Sequence, residues 1–131
     1  MKKLAYLFLA VGVMVFASCE TAGKKSEGTY TGNHTIPGFS TQLGSVIITS
    51  TGDQAVTMNL ICSAAAMNTN ALGVTSTLNN NVVTYTFTGS GTTNYDVLAV
   101  SGNLTDKTLA ISYTIYYGGI GIGCTFTGTK P

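Results

Sequence analysis

Hydrophobic residues recur at every second position over much of the chain, and this period limits the fold more than any other feature. Leu109, Ile111, Tyr113, Ile115 and Tyr117 share one face of an extended segment, with Ala110, Ser112 and Thr114 on the other. Val83, Tyr85 and Phe87 oppose Thr84, Thr86 and Thr88. Ile120, Ile122, Cys124 and Phe126 oppose Gly121, Gly123, Thr125 and Thr127; Tyr30, His34 and Ile36 oppose Thr29, Thr31 and Thr35. Such alternation describes strands with one buried and one wetted face. The wetted faces are mostly hydroxyl, in keeping with a chain that is only 8% charged. From Gly28 onward no long segment repeats with helical period.

Turn residues divide this pattern into eight predicted strands, over 29–36, 45–50, 55–63, 74–78, 82–89, 95–104, 109–117 and 120–127. Most joints are short: "TGDQ", "NNN", "TDKT" and "GG". Asparagine, aspartate and glycine there suit the positive φ of tight hairpins. The expected class is all-β, an eight-stranded antiparallel up-and-down barrel, with a β-sandwich as the alternative. The barrel is favoured by the two ends. "GTYTGNHT" at 28–35 and "CTFTGTK" at 124–130 carry the same aromatic-Thr-Gly pattern and the same inward parity. Pairing them would remove both exposed edges, and Gly32 and Gly128 would allow the bends that closure needs.

The N-terminus reads as an address. Lys2 and Lys3 precede an apolar run from Leu4 to Phe16, the length of a signal peptide and short for a membrane span. It ends in "FASCE", which resembles a bacterial lipobox. The resemblance implies that residues 1–18 are removed and that Cys19 is acylated, anchoring the chain to a membrane. Residues 19–27 are polar and read as a flexible tether, and residues 28–131 as the domain. From Cys19 on, the chain holds four lysines against five acids and no arginine. That balance has no electrostatic footprint for nucleic acid.

The leader, "EGTYTGN", "VIITSTGDQAVTMNL", "VTYTFTGSG", "VSGNLTDKTLAISYTIYYGG" and "CTFTGTK" together resemble the calycin-like, lipocalin-like β-barrel lipoproteins of gut Bacteroidota. The resemblance spans nearly all of residues 28–130 and implies an up-and-down barrel in the cell envelope, at the outer membrane. It brings no catalytic residues. The lipocalin Gly-x-Trp signature is missing, since the chain has no Trp and "GTY" stands in that place.

Chemistry-bearing residues are sparse. His34 is the single histidine, and Asp96 the one acid well inside a predicted strand. A general base needs a partner within hydrogen-bond reach; the plainer reading is a strand histidine near the rim and an outward aspartate. Cys62 and Cys124 make no zinc ligand set and lie on non-adjacent strands, so free buried thiols are expected. "GGIGIGC" departs from a dinucleotide-binding glycine motif and precedes a strand. No enzyme, metal or cofactor is expected. The aromatic face supplies the ligand-site candidates: Tyr30, His34, Tyr85, Phe87, Tyr113, Tyr117 and Phe126. Either they line a pocket for a small apolar or amphipathic ligand, or they fill the barrel and leave a non-catalytic structural or interaction domain. The stretch "CSAAAMNTNALG" at 62–73 offers a lid or a crossover, and Phe39 a rim aromatic or a plug.

Overall fold

The computed structural model describes residues 20–69, 72–87 and 96–131. It opens with a short helix, α1 (Ala22–Ser26), and continues as strands: β1 (Gly28–Thr35), β2 (Gln42–Gly52), β3 (Ala55–Cys62), β4 (Met67–Asn68), β5 (Leu72–Asn79), β6 (Val82–Phe87), β7 (Asp96–Thr105), β8 (Thr108–Tyr117) and β9 (Ile120–Thr129). A 3-10 turn, Ser63–Ala65, precedes β4. Apart from the two-residue β4, the strands are those the alternation predicts, lengthened at several ends.

The eight long strands close into an antiparallel barrel. Each pairs with its neighbours in chain order, β4 adding only a short ladder to the end of β3. The tight joints have the expected backbone: φ is 50° and 65° at Asn80 and Asn81, 54° at Asp106, and 62° and 83° at Gly118 and Gly119. Closure falls between β1 and β9, from Thr31↔Thr129 to Thr35↔Thr125. Gly32 stands opposite Gly128 in that ladder. A Cβ on Gly32 would collide with the Thr127 carbonyl and the Gly128 backbone, and the Phe126 ring covers Gly128. Two glycines let the closing strands approach where side chains would hold them apart.

This order gives the barrel two unlike ends. At the base lie α1, the three turns around Asp53, Asn80 and Asp106, and Lys130. At the far end lie the 36–41 loop, the Ser63–Asn68 segment and the Gly118–Gly119 turn.

Residues 22–26 correct the expectation of a tether throughout 19–27. Thr21 caps α1 by accepting from Lys24 N–H at 3.2 Å. Ala22, Gly23 and Ser26 are buried against β2, β3, β5 and β6. The Gly23 N–H donates to the Asp53 carbonyl at 3.0 Å, and a side chain at Gly23 would strike the Gly52 carbonyl. Five residues cannot sustain a helix alone; the barrel's open base supplies the contacts that hold this one. Cys19, the lipid-attachment candidate, lies outside the described residues, as does the whole leader.

The lumen follows the alternation. Tyr30, Tyr85, Tyr113, Phe126, Met58, Leu60, Leu72, Leu104 and Leu109 are all essentially inaccessible. Ile120 keeps the inward parity of β9 in its pairing with Tyr117 but is 66% exposed. Burial rises along β9 from Ile120 through half-buried Ile122 to Cys124 and Phe126, so the β8–β9 hairpin runs past the packed lumen.

Candidate functional site

The interior polar atoms fall into two hydrogen-bonded groups. Toward the far end, His34 reaches from β1 across Gly44 to the seam between β2 and β3. Its Nε2 lies 3.0 Å from the Ile61 carbonyl and 3.4 Å from that of Ser45. Two acceptors at Nε2 require a proton there, so Nδ1 is the acceptor and takes the Tyr113 hydroxyl, 2.8 Å away, from β8. The ring meets Phe126 at 4.6 Å between centroids and Tyr113 edge-on at 5.9 Å. A Cβ at Gly44 would sit 2.5 Å from His34 Cδ2, so only glycine leaves room for the imidazole. His34 thus ties the wall at a point where the β2–β3 ladder has ended, Ser45↔Ile61 being its last pair. Burial lowers its pKa, outweighing the two carbonyl contacts that favour the charged form. The imidazole is neutral and wholly buried, not a rim residue.

Near the base, Ser26 of α1 gathers two phenols. Tyr30 donates to its carbonyl at 2.8 Å and Tyr85 to its Oγ at 2.7 Å. Ser26 Oγ donates in turn to the Ala22 carbonyl at 2.6 Å. Burial pushes the Tyr85 phenol up to about 12, and those of Tyr30 and Tyr113 further. For Tyr113 the nearby Cys124 and Cys62 add to the effect of burial. Both cysteines are free and buried, and burial raises the Cys124 thiol to about 11. At neutral pH that thiol is protonated, which is the inert state of a cysteine.

Of the seven ligand-site candidates, Tyr30, His34, Tyr85, Tyr113 and Phe126 converge in the lumen, where they pack on one another and on α1. Phe87 and Tyr117 end β6 and β8, and their side chains lie outside the description, as does that of Asp96 at the start of β7. Both His34 nitrogens are engaged by Tyr113 and main-chain carbonyls. Toward the far end, Met67 of β4 is 2% exposed and packs in the core. There the Thr69 N–H donates to the Leu60 carbonyl at 3.1 Å, and Leu60 N–H to Thr69 Oγ at 2.8 Å. Of the 62–73 stretch, residues 70 and 71 lie outside the described residues, while Cys62, Met67 and Leu72 join the core. Phe39 is 59% exposed and stands at the rim rather than plugging the core.

Sequence reasoning missed Ser26, Gly44 and Lys130. Lys130 Nζ donates to the carbonyls of Lys25 at 2.7 Å and Glu27 at 2.9 Å, clasping the end of α1. Its ammonium stands 5.4 Å from the Tyr30 ring centroid. Thr21, with Ser26 five residues on, is the one trace of this helix in the sequence, a capping side chain ahead of a short run. Beside the clasp, a cleft of about 540 Å³ is lined by Glu20, Lys25, Asp106, Lys107, Thr108 and Lys130. Among the described residues, no group of His, Cys, Asp and Glu is arranged to hold a metal ion.

No family model and no curated protein matches the chain. The fold is similar to a crystal structure of a "putative outer membrane protein" from Bacteroides fragilis, with a TM-score of 0.62 and 19% identity. The similarity covers 85% of this chain and 53% of the other, so this chain spans about half the length of the protein it matches. At that identity the likeness is one of fold.

Proposed function

We propose that the chain is a lipoprotein of the bacterial envelope, held at the outer membrane by acyl chains on Cys19, with a non-catalytic barrel that serves as a structural or protein-interaction module. The packing of the described lumen side chains carries the second half of this reading. Five of the side chains expected to line a ligand pocket, Tyr30, His34, Tyr85, Tyr113 and Phe126, are themselves packed in the core, their hydroxyls and imidazole satisfied by one another, by Ser26 and by main-chain carbonyls. The calycin-like lipoprotein resemblance and the fold of the Bacteroides fragilis protein support an envelope setting.

The barrel is apolar inside and largely hydroxyl-bearing outside, the reverse of a barrel whose strands face lipid. Attachment through a lipid next to Glu20 would turn the base to the membrane and the far end outward. That outward end carries the exposed apolar residues Phe39, Leu43, Tyr116 and Ile120, the kind of surface that protein partners use.

Metabolic labelling with a fatty-acid analogue tests the anchor, with incorporation expected in the wild type and lost in Cys19→Ala. Native mass spectrometry of the mildly purified protein tests the filled barrel. Acyl mass alone is expected; a stoichiometric small molecule surviving in the barrel would overturn it.

A further inference from the structure

The cleft at the base draws its walls from three distant parts of the chain. Glu20 and Lys25 come from the N-terminal segment, Asp106, Lys107 and Thr108 from the β7–β8 turn, and Lys130 from beyond β9. Main-chain bonds hold them together. The Lys130 N–H donates to the Lys107 carbonyl at 3.1 Å, and Lys130 Nζ to the Lys25 carbonyl at 2.7 Å. The main chains of Lys25 and Lys107 are thereby tied to Lys130. Burial is the main cause of a lowered pKa at Lys130; Glu20 and Glu27 oppose it, while Lys25 and Lys107 add to it. Among the described residues no ion pair closes off these ammonium groups.

Three lysines against two carboxylates leave one unit of positive charge in the cleft. That is the complement of a monoanion such as a phosphodiester. Glu20 follows Cys19 directly, so acyl chains on Cys19 would bring the cleft against the headgroup layer. We propose that the basal cleft binds the phosphodiester headgroup of an anionic phospholipid, as a second contact beside the lipid anchor. The orientation rests on acylation of Cys19; the charge complement does not. An acyl chain with a basic patch holds a protein at a membrane where either alone is marginal.

The test uses residues 20–131, which contain every strand of the closed barrel and the helix seated in it, and which lack Cys19. Sedimentation with vesicles is compared for pure phosphatidylcholine and for phosphatidylcholine mixed with phosphatidylglycerol. Binding is expected only to the anionic vesicles. Lys25→Gln or Lys107→Gln should weaken it about fivefold each, whereas Lys24→Gln, outside the cleft lining, should weaken it distinctly less. Lys25 and Lys107 act in the barrel through their main-chain carbonyls, so both variants keep those bonds, and an unchanged melting point verifies it. Absence of binding to anionic vesicles, or equal losses in all three variants, would overturn the proposal. So would inorganic phosphate shifting the lysine resonances of a chain that ignores vesicles, which would mark a free-phosphate site. Acylation is absent from this assay, so a failed anchor appears only in the fatty-acid labelling, and a failed cleft only here.

Discussion

Ser26→Ala tests whether α1 is built into the barrel. The substitution removes the acceptor of the Tyr85 hydroxyl and the donor to the Ala22 carbonyl, bonds of 2.7 Å and 2.6 Å. Tyr30 keeps its partner, because it donates to the Ser26 carbonyl. Tyr85 is 1% exposed, so its phenol is left buried without an acceptor. An orphaned buried polar group costs about 1–3 kcal/mol, offset by a few tenths from the higher helix propensity of alanine. The net loss should be about 1–2.5 kcal/mol, a lowering of Tm by roughly 5–15 °C for a domain of this size. Tyr85→Phe removes the donor and leaves Ser26 Oγ its bond to Ala22, so it should cost only about 0.5–1.5 kcal/mol. In the double variant the orphan disappears, and the loss should be well below the sum of the single losses, by about 1 kcal/mol. Urea unfolding of residues 20–131 followed by circular dichroism and tyrosine fluorescence supplies the three values. A Ser26→Ala loss under about 0.5 kcal/mol, additive with that of Tyr85→Phe, would mean that α1 merely rests on the barrel.

Other expectations follow from the same contacts. Deleting residues 20–27 should lower the melting temperature of the barrel, since it uncovers Tyr30 and Tyr85 and frees Lys130; an unchanged melting curve would restore the tether reading. His34 is held neutral in the fold, with its pKa below the ordinary 6.5. The unfolded chain therefore binds the extra proton as pH falls through about 6.5, and stability should drop there by no more than about 1.4 kcal/mol per pH unit, a loss that His34→Gln abolishes. Comparing the two chains by urea titration between neutral pH and pH 5 checks this, and parallel profiles would refute it. Phe126→Ala should cost about 3–5 kcal/mol by emptying the space between His34 and Gly128, while Thr127→Ala, on the outer face, should cost under about 0.5 kcal/mol; similar losses in chemical denaturation would contradict the assigned parity.

The sequence by itself determined the strands, their turns and which face of each turns inward. Those properties are local: parity follows from the pleat, and positive φ follows from Asn80, Asn81, Asp106, Gly118 and Gly119 at their hairpins. The matching ends also pointed to closure, because a chain of adjacent antiparallel strands leaves its first and last as the free edges. What filled the barrel was not legible, since occupancy depends on summed side-chain volume across eight walls and on what enters from the ends. Ser26 does so from a polar five-residue helix with no apolar period, and Met67 does so from a two-residue strand. Ile120 kept its parity yet stands in solvent, because a period says which side a residue faces and not how far the lumen extends. The place of His34 required a glycine on the next strand and a carbonyl on the one beyond it. Lys25, Lys107 and Lys130 are scattered in sequence, and only closure of β9 onto β1, with α1 seated beneath, brings them to one cleft.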